Sequence, residues 1–108
     1  MTNSELKKSI SAIAEFKDKI SFGVIFDYFA PRIIGYLMST GTKQDIAEEI
    51  TQEVLTTVWQ KSSQFNHEKG NVSTWIFTIA RNKRIDRFRK NENPKYNSDD
   101  FINAFYQD

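Results

Sequence analysis

Residues 21–38 read SFGVIFDYFAPRIIGYLM. Phe22, Ile25, Phe26, Phe29, Ile33 and Leu37 follow one another at intervals of mostly three and four, the rhythm that gathers side chains on one face of an α-helix. A half-buried strand would alternate at every second residue, and this stretch does not. It predicts a helix over Ser21–Met38 with a wide apolar face. Pro31 lies inside it. A proline lacks the N–H the ladder needs and crowds the preceding turn, so it predicts a kink, or a split near Ala30. Gly41 then supplies the stop.

Working outward, the same period recurs on both sides. Leu6, Ile10, Ile13 and Ala14 predict a first helix over about Ser4–Phe16. Ile46, Ile50, Val54 and Val58 mark the inward stripe of a third helix, which fades near Gln64. Thr42 and Asp45 have the spacing of a capping box at its start, with Asp in place of the usual Glu. Asn66-His67-Glu68-Lys69-Gly70-Asn71 reads as a polar loop. Ser73 is a good N-cap for a fourth helix running to about Lys90, apolar early at Trp75, Ile76, Ile79 and Ala80 and basic later. From Asn91 the character changes, and Pro94 blocks a helix. Phe101, Ile102, Phe105 and Tyr106 predict a short amphipathic turn. The expectation is an all-α, compact bundle of about four helices, with residues 1–20 as an N-terminal helix packed on a domain spanning 21–90.

Composition bounds the rest. The 108 residues make one domain, or one domain with a tail. There is no cysteine, which excludes disulfides and thiolate metal sites. The N-terminus lacks an apolar signal segment, and no run approaches the roughly 18 apolar residues a bilayer requires. These features predict a cytoplasmic protein with no membrane partner. No enzyme site assembles. His67 is the only histidine and lies in the polar loop. Glu48 and Glu49 are adjacent on a helix and point apart, so they cannot share a proton. No glycine-rich phosphate loop or metal-ligand spacing occurs. The chain is read as not an enzyme, with no cofactor and no metal.

Net charge is only +1, but it is unevenly spread. Gln44 to Glu53 holds four acids and no base; Arg81 to Lys90 holds six bases and one acid, Asp86. On a helix, Glu49, Gln52, Glu53 and Thr56 share a face offset from the Ile46–Val58 stripe. The plain reading is a solvated surface; the functional one is a docking face for a basic helix or coiled coil. Phe65, the polar loop and Trp75 lead into the basic helix, where Arg81, Lys83, Arg84 and Arg87 are expected along one phosphate-tracking surface. The plain reading makes Trp75 core and the bases solvated. The functional one has bases anchoring phosphates while the loop cradles an unstacked base.

Taken in order, these segments resemble region 2 of bacterial sigma factors of the extracytoplasmic-function (ECF) group, within the sigma-70 superfamily. The resemblance rests on Phe26-Asp27-Tyr28-Phe29-Ala30-Pro31-Arg32, on Ala47-Glu48-Glu49-Ile50-Thr51-Gln52-Glu53-Val54, on Val58-Trp59 and Phe65, and on Thr74-Trp75-Ile76-Phe77-Thr78-Ile79-Ala80-Arg81-Asn82 with Asp86 and Arg89. It covers about Phe22 to Lys90. Phe29–Arg32 and Trp75–Asn82 look most like the subgroup held by zinc-dependent anti-sigma factors and linked to singlet-oxygen stress.

The resemblance implies a transcription initiation module that binds core RNA polymerase and recognises and melts the −10 promoter element. Gln52 and Glu53 match the family's docking pair for the clamp helices of the largest core subunit, with Glu49 and Thr56 on the same face. Glu49 stands where the family usually has Asp, and Leu55 where it often has Phe. The loop from Phe65 to Val72 matches the segment that captures a flipped base of the non-template strand. Phe65, Asn66, His67, Lys69, Asn71, Thr74, Arg81, Arg84 and Arg87 are thereby the expected DNA-binding residues. An anti-sigma factor is the expected further partner. Residues 91–108 are expected to begin a linker toward a second, −35-reading (region 4) domain that this chain lacks. Two other readings stay open: a helical protein-interaction module without DNA contact, and a sequence-blind binder of single strands.

Overall fold

The computed structural model describes residues 1–92. The turn expected at Phe101–Tyr106 and most of the expected linker lie outside the described residues. Four α-helices and one short 3-10 turn account for the described fold: α1 (Asn3–Phe16), α2 (Lys19–Ser39), α3 (Gln44–Lys61), a turn at Ser62–Gln64, and α4 (Val72–Glu92). α2 packs between α1 and α3, while α4 packs on α3 and reaches back to α1.

The apolar stripes meet as the periodicity requires. Leu6, Ile10 and Ile13 of α1, Ile25, Phe29, Ile33 and Leu37 of α2, Ile50, Val54 and Val58 of α3, and Val72, Ile76 and Ala80 of α4 form one buried cluster. Each large side chain buried this way contributes roughly 1.5–3 kcal/mol. α2 is also long and apolar enough, by length and a mean hydropathy of 1.2, to pass for a membrane span, which the sequence reading did not foresee. Its buried stripe instead packs within the bundle, and Asp27 and Arg32 stand exposed at mid-helix.

Helix ends differ from expectation in instructive ways. α1 begins at Thr2, whose Oγ1 accepts from the Glu5 N–H at 3.2 Å. It ends at Lys17 in a left-handed conformation, φ 50°. Lys17 is held there by α3: its Nζ donates to the Trp59 carbonyl at 2.5 Å and lies 5.0 Å from the Trp59 ring centre. α2 begins two residues before the expected Ser21, because Asp18 caps it, accepting from Ser21 N–H and Ser21 Oγ. The Ser21 hydroxyl is the main cause that holds the Asp18 carboxyl below its ordinary pKa; desolvation opposes it, and the backbone N–H groups of Ser21 and Ile20 add to the lowering. A depressed native pKa contributes stability above the unfolded value, which is lost as pH falls through the native one.

Pro31 neither ends nor splits α2, which runs through it to Ser39. The Arg32 guanidinium donates to the Tyr28 carbonyl at 2.6 Å and stacks 3.8 Å from the Tyr28 ring centre, while the carbonyl that Pro31 leaves without its helical donor is that of Asp27. The helix stops as predicted at Gly41, φ 95°, with Gly41 N–H bonded to the Met38 carbonyl and Thr42 N–H to the Leu37 carbonyl. That closure consumes Thr42, so the expected capping box does not form; α3 starts after Lys43 with no side-chain cap. α4 starts at Val72 rather than Ser73, and Asn71 caps it, its Oδ1 accepting from the Thr74 N–H at 3.1 Å.

Candidate functional site

Two surfaces present the residues singled out in the sequence. On α3, Glu49, Gln52, Glu53 and Thr56 are all exposed, while the intervening Ile50, Val54 and Leu55 are buried. The four line an open groove of about 540 Å3, whose opposite wall is Lys83 and Arg87 of α4. Arg87 spans it: one guanidinium nitrogen lies 3.0 Å from Glu49 Oε2 and the other 2.7 Å from Glu53 Oε2. The hydrogen bond that Arg87 donates to Glu49, opposed by partial desolvation and reinforced by Glu53, raises the Arg87 pKa above its ordinary value. The acidic stripe is therefore partly neutralised by its own domain.

The second surface is the loop between the 3-10 turn and α4. Asn66 Oδ1 accepts from the Glu68 and Lys69 N–H groups at 3.0 and 3.3 Å, an Asx-type turn that the Gly70 N–H closes onto the Asn66 carbonyl at 2.7 Å. Phe65 lies beneath it, 5% exposed, with Trp75 at 5.4 Å and His67 at 4.9 Å between ring centres. Gly70 has no room for a side chain: a Cβ there would stand 2.5 Å from the Asn66 carbonyl oxygen and 2.7 Å from Phe65 Cε1. Asn66, His67 and Lys69 are exposed on this folded turn, and Asn71 and Thr74 are exposed at the start of α4. Just beyond, Thr74 and Arg81 line a shallow groove of about 440 Å3 with Tyr36, Ser73, Phe77 and Thr78.

Three expected DNA-contacting residues thus sit differently from the sequence reading. Phe65 is buried and shapes the loop from below. Arg84 is half-buried in a notch beside Thr40–Lys43 and Phe88, with its Nε lacking a hydrogen-bond partner. Arg87 faces the acidic groove, not the surface carrying Arg81. The cause is helical rotation: Arg84 and Arg87 follow Arg81 by three and six residues and turn progressively toward α3, where Glu49 and Glu53 draw in the second of them. Lys83, expected with Arg81 on the phosphate-tracking surface, likewise walls the acidic groove. The sequence reading missed Asn3, Lys7 and Ser11 of α1, which touch the loop. Their partners lie 56 to 69 residues away, so no local pattern points to them.

Residues 25–93 match the family described as Sigma-70 region 2. The chain belongs to that family. Among curated relatives, the region 2 chain is 46% identical over 84 residues to the ECF RNA polymerase sigma factor RpoE of Cereibacter sphaeroides, covering 78% of this chain and 46% of the relative. It is 32% identical over 72 residues to the ECF RNA polymerase sigma factor SigK of Mycobacterium bovis, covering 67% and 38%. Among solved structures it resembles Rhodobacter sphaeroides SigE in complex with the anti-sigma ChrR, with a TM-score of 0.77 and 42% identity over 83% of this chain and 55% of that one. The likeness agrees with the all-α bundle and with the ECF resemblance read from the sequence. The chain spans about half the length of the relatives it matches.

Proposed function

We propose that this domain docks on core RNA polymerase through the α3 face and engages the non-template strand of the −10 element through the loop and α4. It acts in the cytoplasm, has no catalytic residues of its own, and contributes promoter recognition and melting to the polymerase, which performs the chemistry. The observation that carries the reading is the separation of the two surfaces. Gln52 and Glu53 are exposed in an open groove, while the exposed loop residues and Arg81 lie beyond the other side of α4. One domain can therefore hold protein and nucleic acid at once. Asn66, His67, Lys69, Asn71 and Thr74 supply polar contacts to an unstacked base or its phosphates, and Arg81 supplies phosphate anchoring. Likeness to a sigma factor bound to ChrR supports an anti-sigma factor as a further partner.

Gln52→Ala combined with Glu53→Ala tests the docking face. Both side chains are exposed and only the screened Glu53–Arg87 pair is lost, so the thermal midpoint should shift only slightly while retention of core polymerase in a pull-down falls. Unchanged retention would remove the assignment. For the loop, fluorescence titration should show tighter binding to a non-template −10 strand than to its scrambled counterpart, with affinity falling as salt rises. A module that meets only protein would bind neither strand, and a sequence-blind binder would hold both equally.

A further inference from the structure

The reading loop is closed by its own turn from Asn66 to Gly70, but that turn does not fix where the loop sits on the domain. α1 does. The Asn3 carboxamide Oδ1 accepts from the Val72 N–H at 2.9 Å. Val72 opens α4 and is fully buried, so its N–H is one of the helix-start donors that must find a partner away from water. At the other end of the loop, Lys7 Nζ donates to the His67 carbonyl at 2.8 Å, and Ser11 Oγ lies 3.5 Å from His67 Nδ1. Asn3, Lys7 and Ser11 are spaced four apart, which sets them in one row along α1. Leu6, Ile10 and Ile13, buried in the core, fix the rotation of that row. With Nδ1 turned to Ser11, His67 keeps Nε2 as the ring nitrogen available to a ligand. None of the three positions lies within residues 25–93, the stretch that matches the family.

We infer that α1 is a positioning element for base selection: Asn3, Lys7 and Ser11 hold both ends of the loop at a fixed place relative to α4, and the loop's discrimination among bases depends on them. The three are positioning residues and need not touch the strand. This rests on the proposed reading of the loop as the surface that meets a single strand. Lys7 also carries a charge near that surface, so its loss would weaken binding to every sequence alike; the diagnostic quantity is the ratio between sequences, not the affinity itself.

The test uses the full 108-residue chain with Asn3→Leu, which removes the acceptor, Asn3→Asp, which keeps it, and a Lys7→Met, Ser11→Ala pair. Amide exchange is followed at His67–Val72, and binding is titrated with short single-stranded DNAs in which each position is varied through all four bases. Losing one net hydrogen bond should speed exchange at Val72 by roughly three- to tenfold in Asn3→Leu and leave it near wild type in Asn3→Asp. The spread of affinities among bases should narrow in Asn3→Leu and in the Lys7→Met, Ser11→Ala pair, and recover in Asn3→Asp, while core polymerase is retained as before. Unchanged exchange at Val72, or an unchanged spread in variants that do exchange faster, overturns the inference while leaving the loop's function standing. A wild-type chain that binds all strands equally overturns both, and overturns the reading of the loop first.

Discussion

Gln52 and Glu53 stand on the open side of a regular helix, whereas His67 and Lys69 stand on a turn wrapped over a buried phenylalanine. The first arrangement needs only the helical period. Any residue at those positions would be exposed, and beyond the exposed pairs that Glu49 and Glu53 make with Arg87 the side chains can be chosen for a partner. The second needs Phe65 beneath it, an absent side chain at Gly70, and three hydrogen bonds shared with a helix more than fifty residues upstream. A docking face can thus be altered without touching the fold, while a reading loop of this kind cannot be separated from the core that shapes it. The mutational sensitivity of the two surfaces should differ accordingly.

Phe65→Ala should give the largest effect. The side chain is nearly buried, and removing its ring leaves a cavity under the turn, a change that costs about 3–5 kcal/mol in well-packed cores. Urea unfolding followed through Trp75, which adjoins the ring, measures it. A loss below about 1 kcal/mol would mean that the loop stands without support from the core, and the contrast with α3 would fail. Gly70→Ala comes next. Nothing about the Gly70 backbone demands glycine by its φ angle; the demand is for space beside the Asn66 carbonyl and the Phe65 ring. Overpacking of this sort costs about 1–3 kcal/mol. Pairing it with Phe65→Leu should recover part of that cost but not all, because the backbone oxygen of Asn66 remains in the way. Full recovery would show that the ring alone excludes a side chain at residue 70.

The same contrast explains what could be read before the structure. The four helices, the buried Ile25-Phe29-Ile33-Leu37 stripe and the exposed Glu49-Gln52-Glu53-Thr56 row were legible because each follows from a repeat of three to four residues. Helix starts were less so. Thr42 and Ser73 both look like caps, but Thr42 is taken by the closure of α2, and Asn71 reaches the first turn of α4 ahead of Ser73. Pro31 predicts a break on local grounds, yet α2 runs through it, its Ile25-Phe29-Ile33-Leu37 stripe buried on both sides of the proline. Phe65 and Arg87 were misplaced for a common reason: a residue beside a polar loop or in a basic run looks like surface until its distant neighbours are known. Phe65 is covered by the turn that follows it, and Arg87 meets acids 38 and 34 residues upstream.

Arg87 gives the smallest expected effect, and its smallness is informative. It makes two ion pairs, and both join α4 to α3. However, Glu49 and Glu53 are 61% and 51% exposed, and Arg87 itself is 28% exposed, so water screens both pairs. Exposed pairs of this kind contribute about 0.2–1 kcal/mol each. Arg87→Met keeps the apolar stem against α3 and removes only the charge. Its stability loss should therefore stay near 1 kcal/mol and fade at 1 M salt, where the screening length shrinks to about 3 Å. Equilibrium unfolding of both proteins at low and high salt measures it. A loss of several kcal/mol, or one that salt does not reduce, would put Arg87 beside Phe65 as a determinant of the fold. The acidic face would then depend on the core as the loop does, and its residues would no longer be free to answer only to a partner.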